Sequence, residues 1–185
     1  MILKEMLKQS LPLLILCGIG GIFTGSILGS MVDIFHRIPG LLVIIPGIIA
    51  LRGNISTAFG SRLGSAYHLG LINADDMWNE SLKQNVIGSL TLSVLVSAAI
   101  GVFAYGTTVL IFHQTVSLIF LLGTVLLAGI TSGLLLTLFT IGIIYLVFKR
   151  GYDPDNITGP ALATVGDITT MLCIFASAIL MEGVI

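Results

Sequence analysis

The sequence predicts an all-α, polytopic integral membrane protein with five transmembrane helices per chain. Three observations predict it. Hydrophobic residues make up 56% of the chain and charged residues only 9%, against roughly 25% charged in an ordinary soluble domain. Mean hydropathy is +1.10. Runs long enough to cross a bilayer as a helix, about 20 apolar residues each, recur from one end of the chain to the other.

The first run, residues 11–32, carries no charge. Lys4 and Lys8 precede it as they would a signal peptide. The run is too long for a typical signal core and lacks a small-residue cleavage site, so it reads as an uncleaved span. The next apolar segment, Ile38 to Leu51, has only 14 residues. At 1.5 Å per residue it reaches about 21 Å, short of a hydrocarbon core of about 30 Å. It must continue through Arg52-Gly53-Asn54 toward Gly70, giving a second span at 38–69, or break inside protein. Either way polar residues enter the membrane region. Spans three and four, 85–112 and 116–148, are uncharged. The fifth, 157–181, is uncharged except for Asp167. The whole of 1–185 reads as one transmembrane unit with no room for a separate soluble domain.

Lys and Arg bias sets the orientation. With the N-terminus cytoplasmic and the C-terminus outside, Lys4, Lys8, Arg52, Arg62, Lys83, Lys149 and Arg150 fall inside and only Arg37 outside. A cell-membrane, multi-pass protein is expected. The segment Asn73 to Lys83, with Asp75, Asp76, Trp78 and Glu80, then reads as a cytoplasmic interfacial linker. The net charge of −1 gives no basic patch, which argues against nucleic acid. Cys17 and Cys173 lack metal-ligand spacing and read as small buried hydrophobes. Glycines four apart (Gly21, Gly25 and Gly29; Gly60 and Gly64; Gly129 and Gly133) suit close helix packing. No Ser/His pair, Cys/His pair or H-E-x-x-H points to an enzyme.

Asp167 is the leading candidate site residue. A carboxylate at membrane depth costs on the order of 2.5–3.5 kcal/mol on insertion scales and usually faces a wet cavity, a partner or an ion. On a helical wheel Pro160, Ala163, Thr164, Thr170 and Ala178 share its side, while Leu162, Val165, Leu172 and Ile179 fall opposite. A structural alternative is an Asp hydrogen-bonded to a neighbouring Ser or Thr. On the second span Asn54, Thr57, Ala58, Ser61 and Ser65 line one face, whose oxygens suit a hydrated cation. A cap or hinge at Gly53-Asn54 is compatible with that reading. Asp153-Pro154-Asp155-Asn156 is either a turn and N-cap or an acidic ring that concentrates cations at the cytoplasmic mouth. Asp33 and His36 are either an outer point of ion access or a solvated helix end.

These ligand types are hard oxygens, which suit Mg2+ with most of its waters retained. Mn2+, Ca2+ and monovalent ions stay open on that ground. One Asp167 per chain is little charge for a divalent ion, and a symmetric homodimer would supply two.

At these residues the sequence resembles the MgtE-type divalent cation transporters, and within them the eukaryotic solute-carrier relatives. The resemblance rests on Ile45-Pro46 through Arg52-Gly53-Asn54, Ser61-Arg62-Leu63 and His68-Leu69-Gly70. It rests equally on Asp153-Pro154-Asp155-Asn156, Pro160 and Gly166-Asp167, with Val32-Asp33 in place at the end of the first span. It implies a Mg2+ channel or transporter whose pathway lies between protomers or pseudo-repeats and is lined by the second and fifth helices. By motif position Asp167 is the residue that contributes to the ion site, and the motif Asn is Asn54. Asn54, Thr57, Ser61 and Thr164 would contact the ion's waters. Relatives with two such units in one chain imply a homodimer here. The bacterial members' cytoplasmic Mg2+-sensing domains have no counterpart among these residues, so their closure mechanism does not carry over. The second-helix motif is also less rich in Gly and Asn than in bacterial members. Some eukaryotic relatives are exporters or Na+-coupled exchangers, so Na+ or H+ coupling stays open. So does a non-transport role in membrane assembly. No organic cofactor is implied.

Overall fold

The computed structural model describes residues 2–72, 78–150 and 154–183. Among them are six helices: α1 (Ile2–Ser30), α2 (Val32–Arg37), α3 (Leu41–His68), α4 (Glu80–Leu110), α5 (Leu118–Lys149) and α6 (Pro154–Glu182). All but α2 are long and apolar enough to cross a membrane. The fold class is therefore the one the sequence predicts. The short amphipathic α2 is an addition: it follows α1 after a one-residue turn and packs Ile34 inward. Asp75, Asp76 and Asp153 lie outside the described residues, and so does the side chain of Asp155. Trp78, within the linker, is 77% exposed.

α3 settles the question of the short apolar segment. It runs unbroken through Arg52-Gly53-Asn54 for 28 residues, about 42 Å at 1.5 Å per residue. Its end is a Schellman motif: Gly70 has φ +71°, Leu71 N–H donates to the Ala66 carbonyl at 2.8 Å, and Gly70 N–H to that of Tyr67 at 2.9 Å. Side-chain caps start the next two helices. The Asn79 carboxamide accepts from Leu82 N–H at 3.0 Å, and the Ser117 hydroxyl from Phe120 N–H at 3.3 Å.

The helices pack around α3, α5 and α6, which contact one another, with α4 against α3 and α5. α1 leans on α6 and, at its end, on α2, and is the most exposed of the spans. One apolar cluster joins Met31, Ile34, Leu41, Ile48, Leu121 and Met171. A second joins Phe59, Leu63, Leu82 and Ile144. Between them lie buried polar side chains, Arg52, Ser56, Ser93, Ser97 and Ser132, together with Leu51 and Leu136. Several buried hydroxyls satisfy themselves on the preceding turn. Ser93 donates to the Ser89 carbonyl at 2.7 Å and Thr140 to that of Leu136 at 2.7 Å, as hydroxyls in membrane helices commonly do.

The paired glycines divide into two groups. Gly129 and Gly133 face α4 and Arg52 closely, whereas a Cβ on Gly21, Gly25 or Gly29 would meet nothing within 4 Å. The α1 glycine that does pack is Gly20, against Thr164 of α6.

Gly40 makes a tight turn between α2 and α3. It has φ +86°, and a Cβ there would sit 2.5 Å from Thr108 Oγ1. Left-handed backbone costs a non-glycine residue about 1–2 kcal/mol, and the overlap with Thr108 adds to it. Gly40→Ala is expected to lower the thermal midpoint of the detergent-solubilised protein by an amount matching at least that range. Gly106→Ala, inside α4 where a Cβ meets nothing within 4 Å, is expected to hold or raise it, because Ala is the better helix former.

Candidate functional site

α3 carries two opposed faces. At 100° per residue, Arg52 lies about 180° from Ser61 and about 140–160° from Thr57 and Asn54. The Arg52 side is buried: Leu41, Ile45, Ile48, Ser56, Phe59 and Leu63 share it. On the other side Asn54, Ser61 and Ser65 are exposed and Thr57 is half-buried.

A cavity of about 320 Å³ opens between this hydroxyl face and the start of the α6 span. Thr57, Ser61, Ser65 and His68 line it from α3, with Thr158 and Gly159 from α6. Gly60 and Gly64 give it width. A Cβ on Gly64 would meet nothing within 4 Å, while one on Gly60 would lie 3.0 Å from Leu162 Cδ1 and 3.2 Å from Thr158 Cγ2. The Thr57 hydroxyl proton is committed to the Gly53 carbonyl at 2.7 Å, so its lone pairs remain free to accept. Thr158 Oγ1 is buried with no hydrogen-bond partner among the described residues. At its end the cavity is framed by aromatic packing: Tyr67 stacks on Phe148 at 3.7 Å between ring centroids, and His68 meets the same ring edge-on at 6.2 Å.

Chemically this is a chamber of oxygen acceptors. A metal ion that keeps its waters presents outward-pointing O–H groups, which need acceptors rather than direct ligands. At about 30 Å³ per water the volume admits an ion with six of them. No group of three His, Cys, Asp or Glu side chains lies together among the described residues, so nothing there builds a dehydrating cage.

The other predicted residues are distributed around this chamber. Asp167 is half-buried on α6, more than two turns beyond Thr158. Thr164 donates to the Pro160 carbonyl at 3.0 Å, and its methyl abuts Gly20, so it stands at the α1–α6 contact. Cys17 donates weakly to the same Pro160 carbonyl at 3.4 Å. Asn54, Thr164 and Asp167 are not among the residues that line the chamber. Asp33 and His36 are exposed on α2. His36 lines a second cavity of about 330 Å³ with Phe35, Pro39, Gly40 and Phe112. Arg37 pairs with Glu182 at 2.7 Å, tying α2 to the end of α6.

Arg52 departs from its reading as an inner-side charge. It is 1% exposed, well inside α3, and it donates from Nη1 to Ser93 Oγ at 2.7 Å and from Nη2 to Ser97 Oγ at 3.5 Å. Leaving it and Arg62 out of the count, the Lys/Arg bias is still Lys4, Lys8, Lys83, Lys149 and Arg150 against Arg37.

The sequence pattern of the MgtE family, described as divalent cation transporter, matches residues 45–177, from the middle of α3's first half through most of α6. The chain belongs to the MgtE divalent cation transporter family. It is 26% identical to human solute carrier family 41 member 2, over 90% of this chain and 30% of that protein. The chicken member 2 is 27% identical over the same shares. Rat solute carrier family 41 member 3 is 25% identical, over 92% of this chain and 37% of its own length. The chain thus spans about a third of the curated relatives it matches. Membership in a transporter family, with five helices of spanning length, makes this a multi-pass membrane protein. Among MgtE-type features, the α3 motif is where the chamber lies. Thr158, Gly159 and His68 were missed as lining residues by wheel reasoning, because a wheel for one helix does not say where the neighbouring helix crosses it.

The two chamber glycines give a clean contrast. Gly64→Leu is expected to cost no stability, because a Cβ on this buried glycine meets nothing within 4 Å. Gly60→Leu should cost about 1–3 kcal/mol by overpacking against Leu162 and Thr158. Thermal melts of the two purified variants check this.

Proposed function

We propose that this chain is one protomer of a homodimeric Mg2+ transporter, the whole of 1–185 forming one MgtE-like transmembrane unit. The ion moves hydrated along a pathway lined by α3 and α6, the second and fifth spans. The observation that carries this reading is the polar strip of α3. Asn54, Ser61 and Ser65 are exposed in the single chain, on a helix of spanning length, where a polar strip facing lipid would lack partners. A second copy facing that strip encloses it as a wet route. C2 pairing is the commonest way to do so.

In the dimer the two Asp167 carboxylates match the charge of one divalent ion. Asn54, Thr57, Ser61 and Thr164 contact its waters, joined by Ser65, Thr158 and His68 of the chamber. Asp33 on the outer side and Asp153 and Asp155 at the inner mouth raise the local cation concentration. The N-terminus is cytoplasmic and the C-terminus outside. Flux through such a route follows the membrane potential, worth about 4.6 kcal/mol for two charges across 100 mV.

Proteoliposomes test the proposal. Mg2+ uptake is measured at fixed potential, with and without a Na+ gradient, for wild type, Asp167→Ala and Gly64→Leu. Potential-driven uptake by the wild type is expected, falling to the level of empty liposomes in both variants. Uptake that needs the Na+ gradient or a pH gradient would replace the channel reading with a coupled exchanger. Wild-type uptake no faster than empty liposomes, with normal folding, would overturn transport of Mg2+ and favour a membrane-assembly role.

A further inference from the structure

Arg52 is a cation sealed in the wall of a bundle that handles cations. Its side chain is 1% exposed. The ion pairs among the described residues are Arg37–Glu182 and Lys83–Glu80, so no carboxylate there neutralises it, and its Nε has no hydrogen-bond partner. Stability alone does not call for such a residue, because a well-packed apolar side chain usually serves a buried position as well or better. What the arginine supplies is geometry.

The surroundings are shaped to the guanidinium. A Cβ on Gly133 would lie 2.6 Å from Nη1 and one on Gly129 3.5 Å from Nη2. Any other residue at 133 would displace the group. Beside these glycines α4 offers a ladder at every fourth residue. Ser93 and Ser97 accept from Arg52 at 2.7 and 3.5 Å. One and two turns along, Ser89 and Asn85 accept from Arg62 of the same helix, at 3.3 and 2.9 Å. Two arginines of α3 therefore grip four successive rungs of α4. Such a grip fixes both the slide and the rotation of α3. Because the hydroxyl face lies about 180° from Arg52, holding Arg52 turns that face toward α6.

We infer that Arg52 is a positioning residue of the ion pathway: by locking α3 onto the serine ladder of α4 and the glycine cradle of α5, it presents Thr57, Ser61 and Ser65 to the chamber. This rests on the pathway proposed above, but the positioning itself is measurable without any ion.

The probe is Ser61→Cys in a Cys17→Ala, Cys173→Ala background, labelled in detergent by a water-soluble maleimide. The rate is compared in the presence of wild-type Arg52, Arg52→Met, Arg52→Lys and the pair Ser93→Ala with Ser97→Ala. Only variants that elute monodisperse and melt near the parent are compared. In Arg52→Met and in the serine pair we expect labelling to slow about tenfold, which corresponds to the face being turned away in about nine molecules of ten. Arg52→Lys keeps the charge but not the two-pronged grip, and should slow it less. Mg2+ uptake by the same proteins should show a raised KM. If Arg52→Met does not fold, Ser97→Ala alone, which removes only the longer bond, decides the matter by a smaller slowing of more than about twofold. Labelling unchanged within about twofold in the folded variants overturns the inference. If uptake changes while labelling does not, Arg52 acts through its charge, and positioning is likewise overturned. A wild type that carries no Mg2+ but shows the labelling shift would remove the transport reading and leave the positioning intact.

Discussion

One buried guanidinium sets the terms for the middle of this bundle. An arginine at the centre of a membrane helix costs on the order of 2.5–3.5 kcal/mol on insertion scales, and charge-assisted hydrogen bonds are the strongest offset available without a carboxylate. Arg52 obtains them from α4, in a space left open by two α5 glycines. Three helices consequently meet on one side chain. The serines of α4 and the glycines of α5, unremarkable as single residues, become one feature once Arg52 is placed between them. Around it lie apolar clusters toward each end, with a layer of buried hydroxyls between.

That layer leaves α3 with two jobs on opposite faces. One face is committed to packing and cannot also be wet. The other carries hydroxyls and a carboxamide that packing does not use. α6 completes the arrangement: Leu162 and Thr158 meet Gly60 closely, which brings the helices together at one turn and lets them part at Gly64. The chamber is the gap that follows from that crossing. α1 is peripheral to it, touching α6 through Gly20 and Thr164, so its glycine series reads as unused packing surface within the single chain.

Much of this was legible in the sequence, and the exceptions share a cause. Spans are legible because a bilayer demands long apolar runs, and each of the five contains a helix of spanning length. The face bearing Asn54, Thr57 and Ser61 is legible because helical period alone groups those residues. The family was legible from the two motifs. Depth and partner were not. Arg52 follows an apolar run and resembles a flanking charge, and only the neighbours Ser93, Gly129 and Gly133, 41 to 81 positions away along the chain, reveal it as a core residue. Thr164 shares a wheel sector with Asp167, yet α1 occupies the space beside it. α2 escaped notice because its six residues carry too little periodic signal to stand apart from a loop.

The segregation of charge on α3 has an electrostatic logic in the pathway we propose. A unit charge 4 Å from an arginine at an effective dielectric of 20 is repelled by about 4 kcal/mol, and a divalent ion by about twice that. Across the width of a helix, about 10 Å, the divalent repulsion falls to about 3 kcal/mol. An attractive carboxylate close to the ion exceeds that residual. An arginine on the hydroxyl face would instead cancel Asp167 outright. The grip that orients α3 can therefore be cationic without blocking a cation route, provided it stays on the sealed face. Serine acceptors suit that position better than an acid would. An Asp or Glu partner in place of Ser93 would neutralise Arg52, but it would also set a second negative site inside the wall, competing with the route for the ion. Neutral oxygens satisfy the guanidinium and leave Asp167 as the only acid in the interior of the described spans, whose ends carry Glu80 and Glu182.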